Sequence, residues 1–387
     1  MALHDGRTSD EVVVVGGGLI GLAIAWRCAQ RGRSVLVVDP APGTGASHAA
    51  AGMLAPVTEL HYGEEGLLRL NLLSARRYPA FVAELEDAAR ATVGYRTEGT
   101  IAVGLDLDDR AVLTELQAFQ TSLGLDVEAL TAREARRLEP MLDPGIRSAL
   151  HVRSDHSVDN RRLVTALLGA ARSSGVRMVR ERADELISDD SGVRGVRAGG
   201  VVHPAATVVL AAGCWSGMID GLPDGVLPPV RPVKGQILRL QVPPSYGTVL
   251  TRTVRGFVRG SGVYLVPRAD GEIVIGATVE ERGFDDVVTA GAMYEVLRDA
   301  RTLVPAVTEL AVIEFTAGLR PGSPDNAPLI GPTRLPGLVV ATGHFRNGVL
   351  LAPVTADLVA DLLTTGSLPE DAAAFTPERF ERIEAHA

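Results

Sequence analysis

The residues whose types and spacing offer the clearest chemistry lie near the start of the chain. Gly16-x-Gly18-x-x-Gly21, followed by Asp39, is a pattern able to hold a dinucleotide. The first glycine permits a tight turn, the second lets backbone N–H groups reach a pyrophosphate, and the third lets a helix and a strand approach closely. The pyrophosphate then sits at the positive end of a helix. Asp39 can accept hydrogen bonds from ribose hydroxyls, and its charge disfavours a 2′-phosphate. Two further stretches fit the same chemistry. The run Ala46-Ser47-His48-Ala49-Ala50-Ala51-Gly52-Met53 is small-sided enough for backbone amides to pack against a bulky ring and its diphosphate. Gly343-His344-Phe345-Arg346-Asn347-Gly348 opens a helix, and a helix N-terminus stabilises negative charge that collects on a ring during reduction.

These residues need a strand–turn–helix–strand frame, and the sequence supplies one. Val12–Val15 reads as a strand, Leu22–Arg31 as a helix and Ser34–Val38 as a second strand ending at Asp39. Helical spacing recurs over Leu67–Ala91, Leu113–Gly124, Thr131–Leu138 and Asn160–Ser173, with Thr131 and Glu134 placed as a capping box. Short strands are expected at 176–179, 193–196 and 201–203, and another at 207–210 runs into Ala211-Ala212-Gly213. From Val230 to Thr278 strand follows strand (234–240, 263–266, 273–275), broken by Pro or Gly, which predicts an antiparallel sheet. A helix at Ala292–Leu303, a buried strand at Leu338–Ala341 and a helix at Gly348–Leu363 complete the pattern.

The chain has 387 residues, which is too long for one ordinary core, so two domains are expected. Its net charge of −9, without a basic tract, argues against nucleic acid as a partner. Two cysteines, Cys28 and Cys214, are too few for a disulfide framework and lack zinc-site spacing. No metal is expected, and a reducing cytoplasm fits best. The opening Met1–Asp10 is polar, and the apolar run Val12–Trp26 is glycine-broken and too short to span a bilayer, so no membrane association is expected.

Several longer stretches carry a family resemblance over essentially the whole chain: 49–54 (Ala-Ala-Ala-Gly-Met-Leu), 213–218 (Gly-Cys-Trp-Ser-Gly-Met), 232–235 (Pro-Val-Lys-Gly), 264–267 (Tyr-Leu-Val-Pro), 276–278 (Gly-Ala-Thr), 317–322 (Ala-Gly-Leu-Arg-Pro-Gly) and 343–353 (Gly-His-Phe-Arg-Asn-Gly-Val-Leu-Leu-Ala-Pro). They resemble the D-amino-acid oxidase superfamily of FAD-dependent oxidoreductases, and most of all its glycine oxidases of thiamine biosynthesis. The resemblance implies an α/β chain, α+β overall. It would pair a Rossmann-like FAD-binding domain of discontinuous segments (1–80, 150–225 and 325–387) with an antiparallel-sheet substrate domain (81–149 and 226–324). It also implies non-covalent FAD, a small amino-acid substrate, O2 as oxidant, a homotetramer and a place in thiazole synthesis.

Carried over by position, the resemblance puts FAD contacts on Leu19, Ile20, Asp39, Pro40, Ala46, Ser47 and Ala51 to Met53, beside the fingerprint glycines Gly16, Gly18 and Gly21. Further contacts fall at Asp184, at Ala212 and Gly213, and at His344 through Leu350 (His344, Phe345, Arg346, Asn347, Gly348, Val349, Leu350). The substrate carboxylate would be held by Arg320, with Arg346 beside it and Tyr264 closing the pocket. A bidentate Arg320 pair fixes orientation as well as position, and the α C–H can then face flavin N5 for hydride transfer without a general base. The resulting imine would hydrolyse to glyoxylate and ammonia, with O2 reduced to H2O2. His344 is expected to pack on the flavin rather than act as an acid or base. Val279 stands where glycine oxidases often carry methionine after the Gly-Ala-Thr, and a wider pocket there leaves room for sarcosine or a small D-amino acid. The alternatives are a D-amino-acid or sarcosine oxidase or dehydrogenase of the same superfamily and, more remotely, a non-catalytic dinucleotide-binding redox sensor.

Overall fold

The computed structural model describes residues 10–258 and 260–380, so the polar opening segment lies almost wholly outside the described residues. Two large sheets organise the chain. In the first, the strands run in the order Leu329–Pro332, Leu338–Thr342, Val201–Leu210, Asp10–Val15, Val35–Val38 and Arg177–Val179. All neighbours in this path are parallel except the first pair. The valine-rich runs Val12–Val15 and Val35–Val38 are buried throughout, as central strands covered on both faces require. One face carries the helices Leu19–Gln30, Glu65–Ala89, Asn160–Ser173 and Gly348–Thr365, which share a core with Val12, Val14, Val35 and Val37. A hairpin of Ala183–Asp189 and Gly192–Ala198 branches from Val201–Leu210 and contributes Leu186, Val193 and Val196 to the core on the other face.

The stretches 201–203 and 207–210 form one strand. Its first half pairs antiparallel with Gly195–Ala198 and its second half parallel with Asp10–Val15, and Pro204 marks the change of partner. Helix Gly348–Thr365, with the turn before it, is long and apolar enough to cross a membrane by composition alone. Here it is a core helix, packed chiefly on Leu19–Gln30 and Glu65–Ala89.

The second sheet is ordered Ala311–Gly322, Arg231–Gln241, Glu272–Gly276, Ser261–Pro267, Thr253–Val258, Thr100–Gly104, Ser148–Val152 and Glu128–Thr131. It is antiparallel except where Thr253–Val258 lies parallel to Thr100–Gly104. The helix Ala290–Leu303 buries Val296, Ala300 and Leu303 on this sheet with Leu238, Val254 and Ile275. Strand Ser148–Val152 pairs here and helix Glu65–Ala89 packs on the first sheet, so the expected boundaries at 149/150 and 80/81 fall inside elements. The fold class is the one read from the sequence.

Candidate active site

The turn after the first strand is built from close backbone approach. Gly16 has φ of +108°, and a side chain at Gly21 would overlap the Gly16 carbonyl, so helix Leu19–Gln30 meets the strand at near-contact. That helix has no side-chain cap at Gly18 and no acid in its first turn, which leaves its positive end free for an anion. Ser47 Oγ accepts from the Leu19 N–H at 2.9 Å, tying the small-sided loop to the helix. Asp39 accepts from the Gly17 N–H at 2.6 Å and the Ala41 N–H at 2.7 Å, which fixes its carboxylate at the strand end.

From this turn a cavity of about 1270 Å³ runs between the two sheets. Of the expected residues, Gly16, Gly18, Leu19, Ile20, Asp39, Pro40, Ala46, Ser47, Ala51, Gly52 and Met53 line it, as do Ala212, Gly213, Tyr264, Arg320, His344, Phe345, Arg346, Gly348 and Val349. Gly21, Asp184, Asn347 and Leu350 do not. Gly21 is taken up by packing on Gly16, Asn347 and Leu350 are buried, and Asp184 is exposed while its neighbours Arg182 and Ala183 face the cavity.

At the far end Arg320 comes from strand Ala311–Gly322 and Tyr264 from strand Ser261–Pro267. The Arg320 guanidinium donates to the carbonyls of Thr278 at 3.2 Å and Lys234 at 3.4 Å, and no ion pair is found for it among the described residues. Burial raises the Tyr264 phenol above its usual range, partly offset by Arg320 beside it. Two glycines make room for the pair: a Cβ on Gly235 would occupy the place of the Arg320 guanidinium, and one on Gly276 that of the Tyr264 hydroxyl.

Arg346 is differently placed. Its Nη2 donates to the Glu64 carboxylate and its Nε lies 3.5 Å from Glu59, and Glu59 is also paired with Arg255. His61 beside this group is held below its ordinary pKa by burial and then by Arg346. Glu59, His61, Arg255 and Thr278 all line the cavity. Thr278 lay in a stretch that carried the family resemblance but was given no role, and Glu59 and His61 were missed because 55–64 has no helical or strand periodicity to draw attention to it; nothing in the sequence marked Arg255. His344 is buried, with Nε2 3.0 Å from Thr355 Oγ1, and burial pulls its pKa to about 3. It is therefore neutral at physiological pH and is no proton donor or acceptor for the chemistry. Cys214 lines the cavity, but burial pushes its thiol to about 12. No metal-binding cluster occurs among the described residues.

The residues fit a dinucleotide on their own terms. The cavity begins at a helix start where no N-cap side chain or acid competes with an anion and Ser47 takes the Leu19 N–H, and the N–H groups of Ala51 and Gly52, residues that line it, donate to no protein acceptor among the described residues. Buried backbone donors are rarely left unpaired. The family model for FAD dependent oxidoreductases, of the D-amino-acid oxidase type, matches residues 11–362. The chain belongs to the FAD-dependent oxidoreductase family.

FAD is its cofactor. The chain is 34% identical over 375 residues to a glycine oxidase of Pseudomonas putida, covering 96% of this chain and 99% of that one. The crystal structure of a glycine oxidase from Geobacillus kaustophilus superposes with a TM-score of 0.88 at 33% identity, over 95% of this chain and 98% of that one. It is also 35% identical over 377 residues to the bifunctional protein ThiO/ThiG of Synechocystis sp., covering 97% of this chain but 54% of that protein. The chain thus spans about half the length of the two-function relatives it matches.

Proposed function

We propose that this protein oxidises glycine, and with it small amines that carry a carboxylate, to an imine that water hydrolyses to glyoxylate and ammonia. The observation that carries the reading is Arg320. It is a guanidinium on the cavity wall held by two backbone carbonyls and the Tyr264 hydroxyl, with no carboxylate paired to it among the described residues, so its charge is uncompensated until an anion arrives. Arg255 and Arg346 already have Glu59 and Glu64 and lack that freedom.

The fingerprint turn, Ser47, Asp39 and the 51–53 peptides would hold FAD, which when bound supplies the two-electron acceptor. Arg320 takes the substrate carboxylate as a planar fork and Tyr264 adds a hydroxyl donor. Together they fix which substrate bond faces the cofactor, and orientation of this kind is worth roughly 7–11 kcal/mol of barrier in well-aligned systems. Neither the neutral His344 nor the raised Tyr264 phenol is suited to act as a general base, and the Glu59 carboxylate on the same wall is engaged by Arg255 and Arg346; loss of hydride from the carbon that bears the amine needs no base. Cys214 as a protonated thiol supports non-covalent cofactor binding. Val279 lines the cavity and is 71% exposed, so that wall of the pocket is open. This supports acceptance of sarcosine or D-alanine beside glycine. Dioxygen as terminal oxidant, with H2O2 as product, belongs to the same reading. So does delivery of the imine to thiazole assembly, which the two-function ThiO/ThiG relative supports. Assembly as a homotetramer is supported by the edge strand Ala311–Gly322, which exposes Val312, Ile313 and Phe315. The cytoplasm is the location we assign.

The test is peroxide release with glycine, sarcosine and D-alanine by native protein and by Arg320→Met. Losing a charged partner costs about 2–5 kcal/mol, so kcat/KM for glycine should fall by roughly thirtyfold or more while bound FAD is retained. Near-native turnover in the variant removes the assignment.

A further inference from the structure

The carbonyl side of the small-sided loop is gripped from behind. Asn160 Nδ2 donates to the carbonyls of Ser47 at 2.7 Å and His48 at 3.1 Å. Arg239 Nη2 reaches the Ala50 carbonyl at 3.2 Å and the His48 carbonyl at 3.4 Å. Arg268 Nη2 donates to the Ala51 carbonyl at 2.6 Å and its Nη1 to the Val158 carbonyl at 2.8 Å. Both guanidiniums are buried, at 1% and 6% exposure, and neither lines the cavity. Arg239 is balanced by Glu272 at 2.5 Å. Arg268 has no ion pair among the described residues, and burial lowers its pKa to about 10. Asp159, Glu272 and Asp270 act on it only from beyond ion-pair distance; a buried cation without a directly paired carboxylate is costly, and mere loop anchoring would be served as well by a neutral amide.

What the cation does follows from peptide geometry. In a trans peptide the N–H leaves the side opposite the carbonyl. The peptides whose carbonyls accept from Arg239 and Arg268 are 50–51 and 51–52, so the N–H groups on their far side are those of Ala51 and Gly52. Ala51 and Gly52 line the cavity, and their N–H groups donate to no protein acceptor among the described residues. A peptide whose oxygen is bound to a cation becomes a stronger N–H donor. Ala51 and Met53 also pack with Tyr264 and Ala277, which places these peptides at the substrate end of the cavity, the end at which a bound redox ring would meet the substrate.

We propose that Arg268, seconded by Arg239, is a positioning residue that raises the reduction potential of the bound flavin from behind the cavity wall. It holds and polarises the 50–51 and 51–52 peptides, whose N–H groups then stabilise the negative charge the ring gains on reduction. The inference rests on the reading of Arg320 and Tyr264 as the substrate end. It deepens that reading by assigning the electronic tuning to residues that touch neither substrate nor cofactor.

The experiment compares native holoenzyme with Arg268→Lys and Arg268→Met. The readouts are the midpoint potential of the bound flavin, the Kd for FAD and the thermal unfolding of the apoprotein. Arg268→Met should disfavour the reduced flavin at least tenfold, about 30 mV for a two-electron couple. Arg268→Lys, which keeps the charge but loses the fork, should fall between it and the native protein. Potentials within twofold in that equilibrium for both variants, with only stability or FAD affinity altered, would mean a purely structural clamp and overturn the proposal. Where Arg268→Met does not fold or retain FAD, Arg268→Lys decides alone: a shift in the same direction supports the proposal and an unshifted potential sinks it. The substrate-site reading fails in a different measurement, the turnover of Arg320→Met on glycine, which says nothing of the two Arg268 variants' potentials.

Discussion

The two ends of the cavity are made by different physics. At the nucleotide end the work is done by backbone: Gly16 in its left-handed conformation, Gly21 pressed on Gly16, a helix start with no acid in its first turn, and an Asp39 fixed by two N–H groups. All of it comes from one stretch of chain. At the substrate end the work is done by side chains, Arg320 and Tyr264, which reach one another from different strands of the second sheet. The space they occupy is made by glycines on two more strands, Gly235 and Gly276. A local backbone device tolerates no added atom; a side-chain device tolerates adjustment and can be retuned. That difference orders the effects of substitution.

The largest effect is expected at Gly21. A valine there cannot avoid the Gly16 carbonyl, and because overpacking of this kind costs about 1–3 kcal/mol or more, FAD affinity should fall roughly 100-fold, read by fluorescence titration of apoprotein. If Gly21→Val binds FAD normally, the backbone account of that end is broken. At the other end Gly276→Ala should be milder. The Tyr264 hydroxyl must shift, KM for glycine should rise roughly tenfold, about 1.4 kcal/mol, and FAD affinity should hold. Equal damage to cofactor and substrate binding would erase the contrast between the ends.

His344 sharpens the comparison through pH. Its folded pKa of about 3 lies below the ordinary 6.5, so the unfolded chain takes up a proton that the folded chain refuses. Stability is full above about pH 6.5 and is lost as pH falls toward 3. At pH 5 this amounts to about 2 kcal/mol, and His344→Asn should lose less stability than native protein between pH 7 and 5 in urea unfolding. Equal losses would mean that the buried imidazole is not neutral. The smallest effect is expected at the open wall: Val279→Met should lower kcat/KM for D-alanine relative to glycine by several-fold, toward the low end of the roughly 10- to 200-fold that one methylene can discriminate in a closed pocket. An unchanged ratio would show that this wall does not sense the substrate.

The same contrast explains what the sequence disclosed. The fingerprint turn was legible because strand, glycines, helix and acid are contiguous, and helix Asn160–Ser173 and the Thr131–Glu134 capping box are found where periodicity and capping residues put them. Strand Ala311–Gly322, which carries Arg320, gave no such signal. It is an edge strand with exposed apolar residues in one half and Gly318, Pro321 and Gly322 in the other, so its alternation is broken. Arg320 was reached only through family resemblance. The same resemblance set Arg346 beside the substrate carboxylate, whereas the structure shows it engaged by Glu59 and Glu64, and that engagement comes from an aperiodic segment far off in sequence. Arg239 and Arg268 act through carbonyls of a distant loop, which no residue pattern announces.

The most direct test of the central claim is an anaerobic absorbance titration of the FAD-loaded protein with glycine, followed by air. The account predicts that glycine bleaches the flavin band, that air restores it with release of peroxide, and that Arg320→Met bleaches far more slowly at the same glycine concentration. A flavin band that glycine leaves untouched, or one that native protein and Arg320→Met bleach at the same rate, would contradict it.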